Sequence, residues 1–203
     1  MYKTIGNDKV IGEIVEKKSK FIATLFYVNN EEQAQEIIKS TKKQYYDARH
    51  NCYAYRIITD ENVVERQSDD GEPSGTAGAP LLNILQKNNL GNVLVIVTRY
   101  FGGILLGTGG LVRAYSAAAM DAIEKATIIT EVMGIQVELE IEYSEFEKLK
   151  YYAEKNGVQI VDIVYENTIK CYINTTKEIL ASLVKENKIL NYRIIKDVNI
   201  IIK

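Results

Sequence analysis

Between Asn92 and Thr98 the chain is almost uninterruptedly apolar, with Val93-Leu94-Val95-Ile96-Val97 at its centre. Successive side chains of a strand point to opposite faces, so an apolar run without alternation reads as a strand covered on both sides. It ends on Arg99, Tyr100 and Phe101, and Gly102, Gly103, Gly107, Gly109 and Gly110 follow. These glycines read as a loop feeding a helix, with Leu111, Tyr115, Ala118, Ala119, Ala122 and Ile123 along one stripe. Such a loop delivers backbone amides to a helix N-terminus.

Upstream, Lys9–Val15 and Phe21–Val28 read as a hairpin around the charged turn Lys17-Lys18-Ser19-Lys20. Asn30 offers an N-cap with Gln33 three residues on, and Ala34, Ile37, Ile38, Thr41 and Tyr45 recur at helical spacing to about Gln44. Arg49–Thr59 alternates and pairs with Val63–Arg66 after a turn at Asp60–Asn62. Ser68 to Gly78 is too rich in Gly and Asp for either regular element and reads as a loop. Pro80 suits the first turn of the helix after it, which Asn88, Asn89 and Gly91 stop. From Val132 the order becomes strand, helix, strand, strand, helix, strand, the sequence of a ferredoxin-like sheet with two helices on one face.

At 203 residues the chain fits one medium and one small domain, 1–131 and 132–203, in an α+β architecture. Basic and acidic residues number 15 and 16 in the first segment and 10 and 11 in the second, so neither is a basic module driven onto nucleic acid by bulk charge. No apolar run approaches the roughly 20 residues that span a bilayer, and Met1–Lys9 lacks the apolar core of a signal peptide, so the expectation is a cytoplasmic protein without a membrane partner. The two cysteines, Cys52 and Cys171, form no C-x-x-C pair, and His50 is the single histidine, which argues against a zinc site.

The residues that could carry chemistry each have a plain alternative. Gly102 to Thr108 runs glycine, four residues, glycine, hydroxyl, but lacks the lysine of a phosphate-binding P-loop, and Gly107-Thr108-Gly109-Gly110 departs from the dinucleotide fingerprint. Anion binding by these amides, reinforced by Arg99 and Arg113, stands beside simple tight turning. Asp69, Asp70 and Glu72 could bind a hard cation or supply an acid–base pair, or form a solvated turn. His50 and Cys52 share a strand face, yet parallel side chains at that spacing rarely meet in hydrogen-bond geometry. No catalytic residue, metal ligand or cofactor is assigned. The lysine clusters at 17–20 and 39–43 read as solvated faces, and strand packing accounts for most of the tyrosines.

Three strings, Asp47 to Arg56, Ser68 to Gly78 and Thr98 to Tyr115, together resemble the YigZ/IMPACT family. The resemblance implies a first domain like the βαβ fold of a ribosomal-protein domain, shared with translation factors, followed by a small ferredoxin-like domain. It also implies a role in translational control, with RNA, the ribosome or a translation factor as partner. The candidate binding residues are Arg49, His50, Ser68, Asp69, Asp70, Glu72, Ser74, Arg99, Tyr100, Gly102, Gly103, Gly107, Thr108, Gly109, Gly110 and Arg113. They are expected to form one surface, with Arg99 and Arg113 at its positive centre and the three acids at its rim. The alternative is an enzyme acting on a phosphorylated small molecule or nucleotide through the glycine-rich loop.

Overall fold

A computed structural model describes residues 1–59, 62–187 and 189–202. The chain divides into two compact units, one spanning 2–129 and the other 130–203 with Met1. Asp60 and Glu61, placed in a turn by the sequence, lie outside the described residues.

The 2–129 unit contains β1 (Tyr2–Ile5), β2 (Lys9–Glu16), β3 (Ser19–Tyr27), α1 (Glu31–Gln44), β4 (His50–Ile58), β5 (Val63–Ser68), α2 (Gly78–Lys87), β6 (Val93–Tyr100) and α3 (Gly107–Lys125). Its sheet has the order β2-β3-β6-β4-β5, with each neighbouring pair antiparallel. β3 and β4 therefore run parallel on either side of β6, joined through α1, which makes a split β-α-β. The apolar run lies on the central strand and is buried on both faces. Val93, Val95 and Val97 share a core with Phe21, Leu25, Leu81 and Tyr115, under α2 and α3. Leu94 and Ile96 join Tyr55, Ile57, Ala34 and Ile38 under α1. Burial of each large apolar side chain contributes about 1.5–3 kcal/mol, so the alternation of β6 between two cores is what holds helices on both faces.

Local chemistry sets the helix starts. The Asn30 side chain accepts from the Gln33 amide at 2.8 Å, and the Gln33 side chain accepts from the Asn29 amide at 2.8 Å. α3 presses closely on β2, because a Cβ at Gly12 would meet the Ala122 backbone nitrogen. The alanines at 118, 119 and 122 allow that approach. Two features depart from the sequence reading. Gly107, Gly109 and Gly110 are the first turn of α3 rather than a loop before it. β1 was not anticipated, and it is held by Lys3, whose amide donates to Asn89 and whose carbonyl accepts from Gly91.

The second unit carries most of β7 (Ile128–Ile141), then α4 (Tyr143–Asn156), β8 (Gln159–Tyr165), β9 (Ile169–Thr175), α5 (Lys177–Glu186) and β10 (Ile189–Ile202). β7 begins four residues before the expected Val132. Its strands pair antiparallel in the order β10-β7-β9-β8, the ferredoxin-like arrangement. One face is apolar: Ile135, Val137 and Leu139 of β7 and Cys171 and Ile173 of β9 pack on Phe146, Leu149 and Ala153 of α4 and Leu180 and Leu183 of α5. The left-handed Gly157, at φ +69°, ends α4.

Candidate functional site: a buried ionic network joining three loops

The two-residue period of β6 places Arg99 on the same face as Val93, Val95 and Val97, towards α2 and α3. Strand register sets Phe21 of β3 on one side of it and His50 of β4 on the other. Arg99 is only 6% exposed. A buried guanidinium needs a counter-charge, and Glu72 provides it, with Oε1 2.5 Å from Arg99 Nη1. Tyr115 of α3 donates to the same oxygen at 2.9 Å. The Cys52 thiol has two acceptors within reach, the Asp69 carbonyl at 3.0 Å and the Tyr115 hydroxyl at 3.3 Å. The guanidinium also lies 5.4 Å from the Phe21 ring centre and 5.6 Å from that of Phe101. Its Nε is buried without a partner.

The 68–78 loop turns Glu72 inward because its other acids are used as clips. The Asp69 carboxylate accepts from the amides of Gly75, Ala77 and Gly78 at 2.8, 3.0 and 2.8 Å. It thereby caps α2, whose own N-cap position, Ala77, offers no side chain for the purpose. Asp70 accepts from Lys42 Nζ of α1 and from the Asn51 amide of β4. Asp70 and Gly71 both have positive φ, 45° and 86°, and this reverses the chain. Asn51 in turn accepts from the Thr98 hydroxyl at 2.7 Å on the opposite face of the sheet.

The electrostatics follow from this geometry. Burial, partly offset by the Tyr115 hydrogen bond, pushes the Cys52 thiol up to about 12. Burial and then Cys52 push the Tyr115 phenol above its ordinary value. Burial raises Asp69, but the Gly75, Gly78 and Ala77 amides outweigh it and hold the carboxyl below the usual range. His50 Nδ1 lies 2.8 Å from the Asp70 carbonyl, which only accepts, so that nitrogen carries the proton. Its Nε2 is 3.9 Å from Glu72, too far for a hydrogen bond. His50 and Cys52 thus engage different carbonyls and form no dyad.

His50, Asp69, Asp70, Glu72 and Arg99 are brought together by these contacts, but not in the expected roles. Arg99 is not an exposed positive centre and Glu72 is not a rim carboxylate, because each is buried against the other. Ser68 accepts from the Asp70 amide, Tyr100 donates to Asp47 at 3.0 Å, and the Gly102 amide donates to Ser19. Gly110 is half-buried, whereas Arg49, Ser74, Gly103, Gly107, Thr108, Gly109 and Arg113 are exposed. The Arg113 guanidinium lies beside Gly109, at the first turn of α3. Tyr115, Asn51 and Lys42 were missed as site residues. Tyr115 carried a signal, since it is the one hydroxyl-bearing aromatic on an otherwise alanine- and leucine-lined stripe. No group of three or more His, Cys, Asp or Glu among the described residues is placed to hold a metal ion. No described helix is long and apolar enough to cross a membrane.

Residues 17–123, which hold this whole network, match the Impact N-terminal domain. The chain is 37% identical over 158 residues to the IMPACT family member YvyE of Bacillus subtilis, a match covering 78% of this chain and 72% of the relative. The chain belongs to the IMPACT family. It is also 42% identical over 97 residues to the protein IMPACT homolog of Dictyostelium discoideum, covering 46% of this chain and 28% of that longer protein. A solved structure described as a hypothetical protein superposes with a TM-score of 0.65 at 29% identity, over 91% of this chain and 90% of the other. The shared IMPACT region therefore coincides with the unit that carries the network.

Proposed function

We propose that this IMPACT-family protein is a translation-associated regulator that docks on a protein component of the translation apparatus, a factor or a ribosomal protein, in the cytoplasm. The observation that carries this reading is the loop anchored beside Arg99. Phe101, Ile104 and Leu105 stand exposed there at 46, 43 and 83%, on a backbone fixed at Gly102 by Ser19. Adjacent exposed apolar side chains are uncommon on a free surface. Such apolar and aromatic anchors match the composition of a protein interface. The near-neutral charge supports a protein partner over RNA. The network's chemistry points the same way, since a thiol held near 12 and a carboxylate bound to a guanidinium are a poor nucleophile and a poor base.

Co-sedimentation of the full chain with ribosomes and with purified translation factors tests the reading. Leu105→Asp is expected to lower association at least tenfold while leaving thermal unfolding unchanged. Absence of association at every salt concentration, or full retention of binding by Leu105→Asp, would overturn it.

A further inference from the structure

We propose that the 130–203 unit contains a binding pocket for a small uncharged molecule with an apolar body and a single hydrogen-bonding head. A cavity of about 640 Å³ opens at one end of its helix layer, within the range of roughly 300–1,000 Å³ typical of ligand sites. The opening lies at two helix ends. α4 ends at the left-handed Gly157 and α5 starts after its cap, Thr176, and the lining gathers around these two helix ends.

The apolar part of the wall is formed by Val132, Ala153, Val158, Ile179 and Ile200. Gly134 keeps the Ile200 wall in place, because a Cβ there would collide with Ile200 Cδ1. The polar side chains of the lining are Glu154, Asn156, Gln159, Thr176 and Thr175, the last residue of β9. Thr175 shares the helix-covered face with Ile169, Cys171 and Ile173, and it is 2% exposed. Its hydroxyl is buried without a hydrogen-bond partner. Such a group is costly to leave unpaired, and a guest carrying one donor or acceptor would satisfy it. The lining holds one acid, Glu154, and no basic side chain, which disfavours an anion.

N-phenyl-1-naphthylamine, an uncharged aromatic amine with a single N–H, is a suitable probe. Titrated into the full chain, it is expected to give a saturable, one-to-one rise in fluorescence. Thr175→Val, which keeps the side-chain shape, should weaken binding about fivefold, as expected for one lost hydrogen bond. Ile179→Trp, whose ring fills the cavity, should abolish it. Leu105→Asp, on the exposed loop of the other unit, should leave it unchanged. The proposal is overturned by an absence of saturable binding, by unaltered affinity in Thr175→Val, or by loss of the signal in Leu105→Asp. It is also overturned if the anionic 1-anilinonaphthalene-8-sulfonate binds as tightly. Should Thr175→Val fail to fold, survival of binding in folded Ile179→Trp is the deciding contrary result.

Discussion

Truncating Arg99 to alanine should be among the most damaging single changes in the 2–129 unit. It leaves the Glu72 carboxylate, whose side chain is 3% exposed, without its cation. Removing one partner of a buried ion pair costs about 3–5 kcal/mol, mostly the penalty for the charge left behind. Loss of the stacking on Phe21 and Phe101 adds about 0.5–1 kcal/mol. Together this is roughly 3.5–6 kcal/mol, against a total stability of about 5–15 kcal/mol for an ordinary domain. At about 4 °C per kcal/mol for a unit of this size, the melting temperature should fall by roughly 14–24 °C. The exposed Arg113→Ala should stay within about 0.5 kcal/mol of the parent. Because the cost arises from the orphaned charge, Arg99→Met combined with Glu72→Gln should recover most of the loss while keeping an acceptor for Tyr115. Urea unfolding followed by circular dichroism would measure the cycle. A loss below about 1 kcal/mol for Arg99→Ala, or a double variant as unstable as the summed singles, would refute the reasoning.

Three further outcomes follow from the network and its surroundings. Asp69 has a folded-state pKa below its unfolded value of about 3.9, so its contribution is complete above that pH and is lost as pH falls through the lower folded value. Asp69→Asn should therefore flatten the acid limb of stability below about pH 4, and an unchanged acid limb would remove Asp69 as the clip of the loop. Cys52, held near 12, and Cys171, pushed by burial to about 11, should resist iodoacetamide at pH 8 in the native chain and react once urea is added. Mass spectrometry reads this directly, and rapid native alkylation of Cys52 would contradict its burial. Gly102→Ala should destabilise by more than the usual glycine effect of about 1 kcal/mol, since a Cβ would strike the backbone of Lys18 and Ser19. A neutral result in thermal denaturation would mean that the turn between β2 and β3 yields freely.

The regular elements were largely legible because periodicity is a local property. The apolar run of 92–98 required two covered faces, and the alternation beyond Val132 implied the order of a four-stranded sheet. The helix of Gly107–Gly110 was misread as loop because glycine is a poor helix former, and only the packing of α3 on the sheet shows that its first turn forms there. The burial of Arg99 was available from the sequence and was missed: it keeps step with Val93, Val95 and Val97, so it falls on a core face. Its partner was not available. Glu72 lies 27 positions away, in a loop whose conformation depends on Asp69 and Asp70 reaching amides of α2 and β4. Sequence patterning thus determined which side chains face inward along each strand and helix. Only the register of β3, β6 and β4, together with the turn at Asp70 and Gly71, decided that an arginine, a glutamate and a tyrosine from three separate segments meet, because that meeting depends on distances between elements and not on spacing along any one of them.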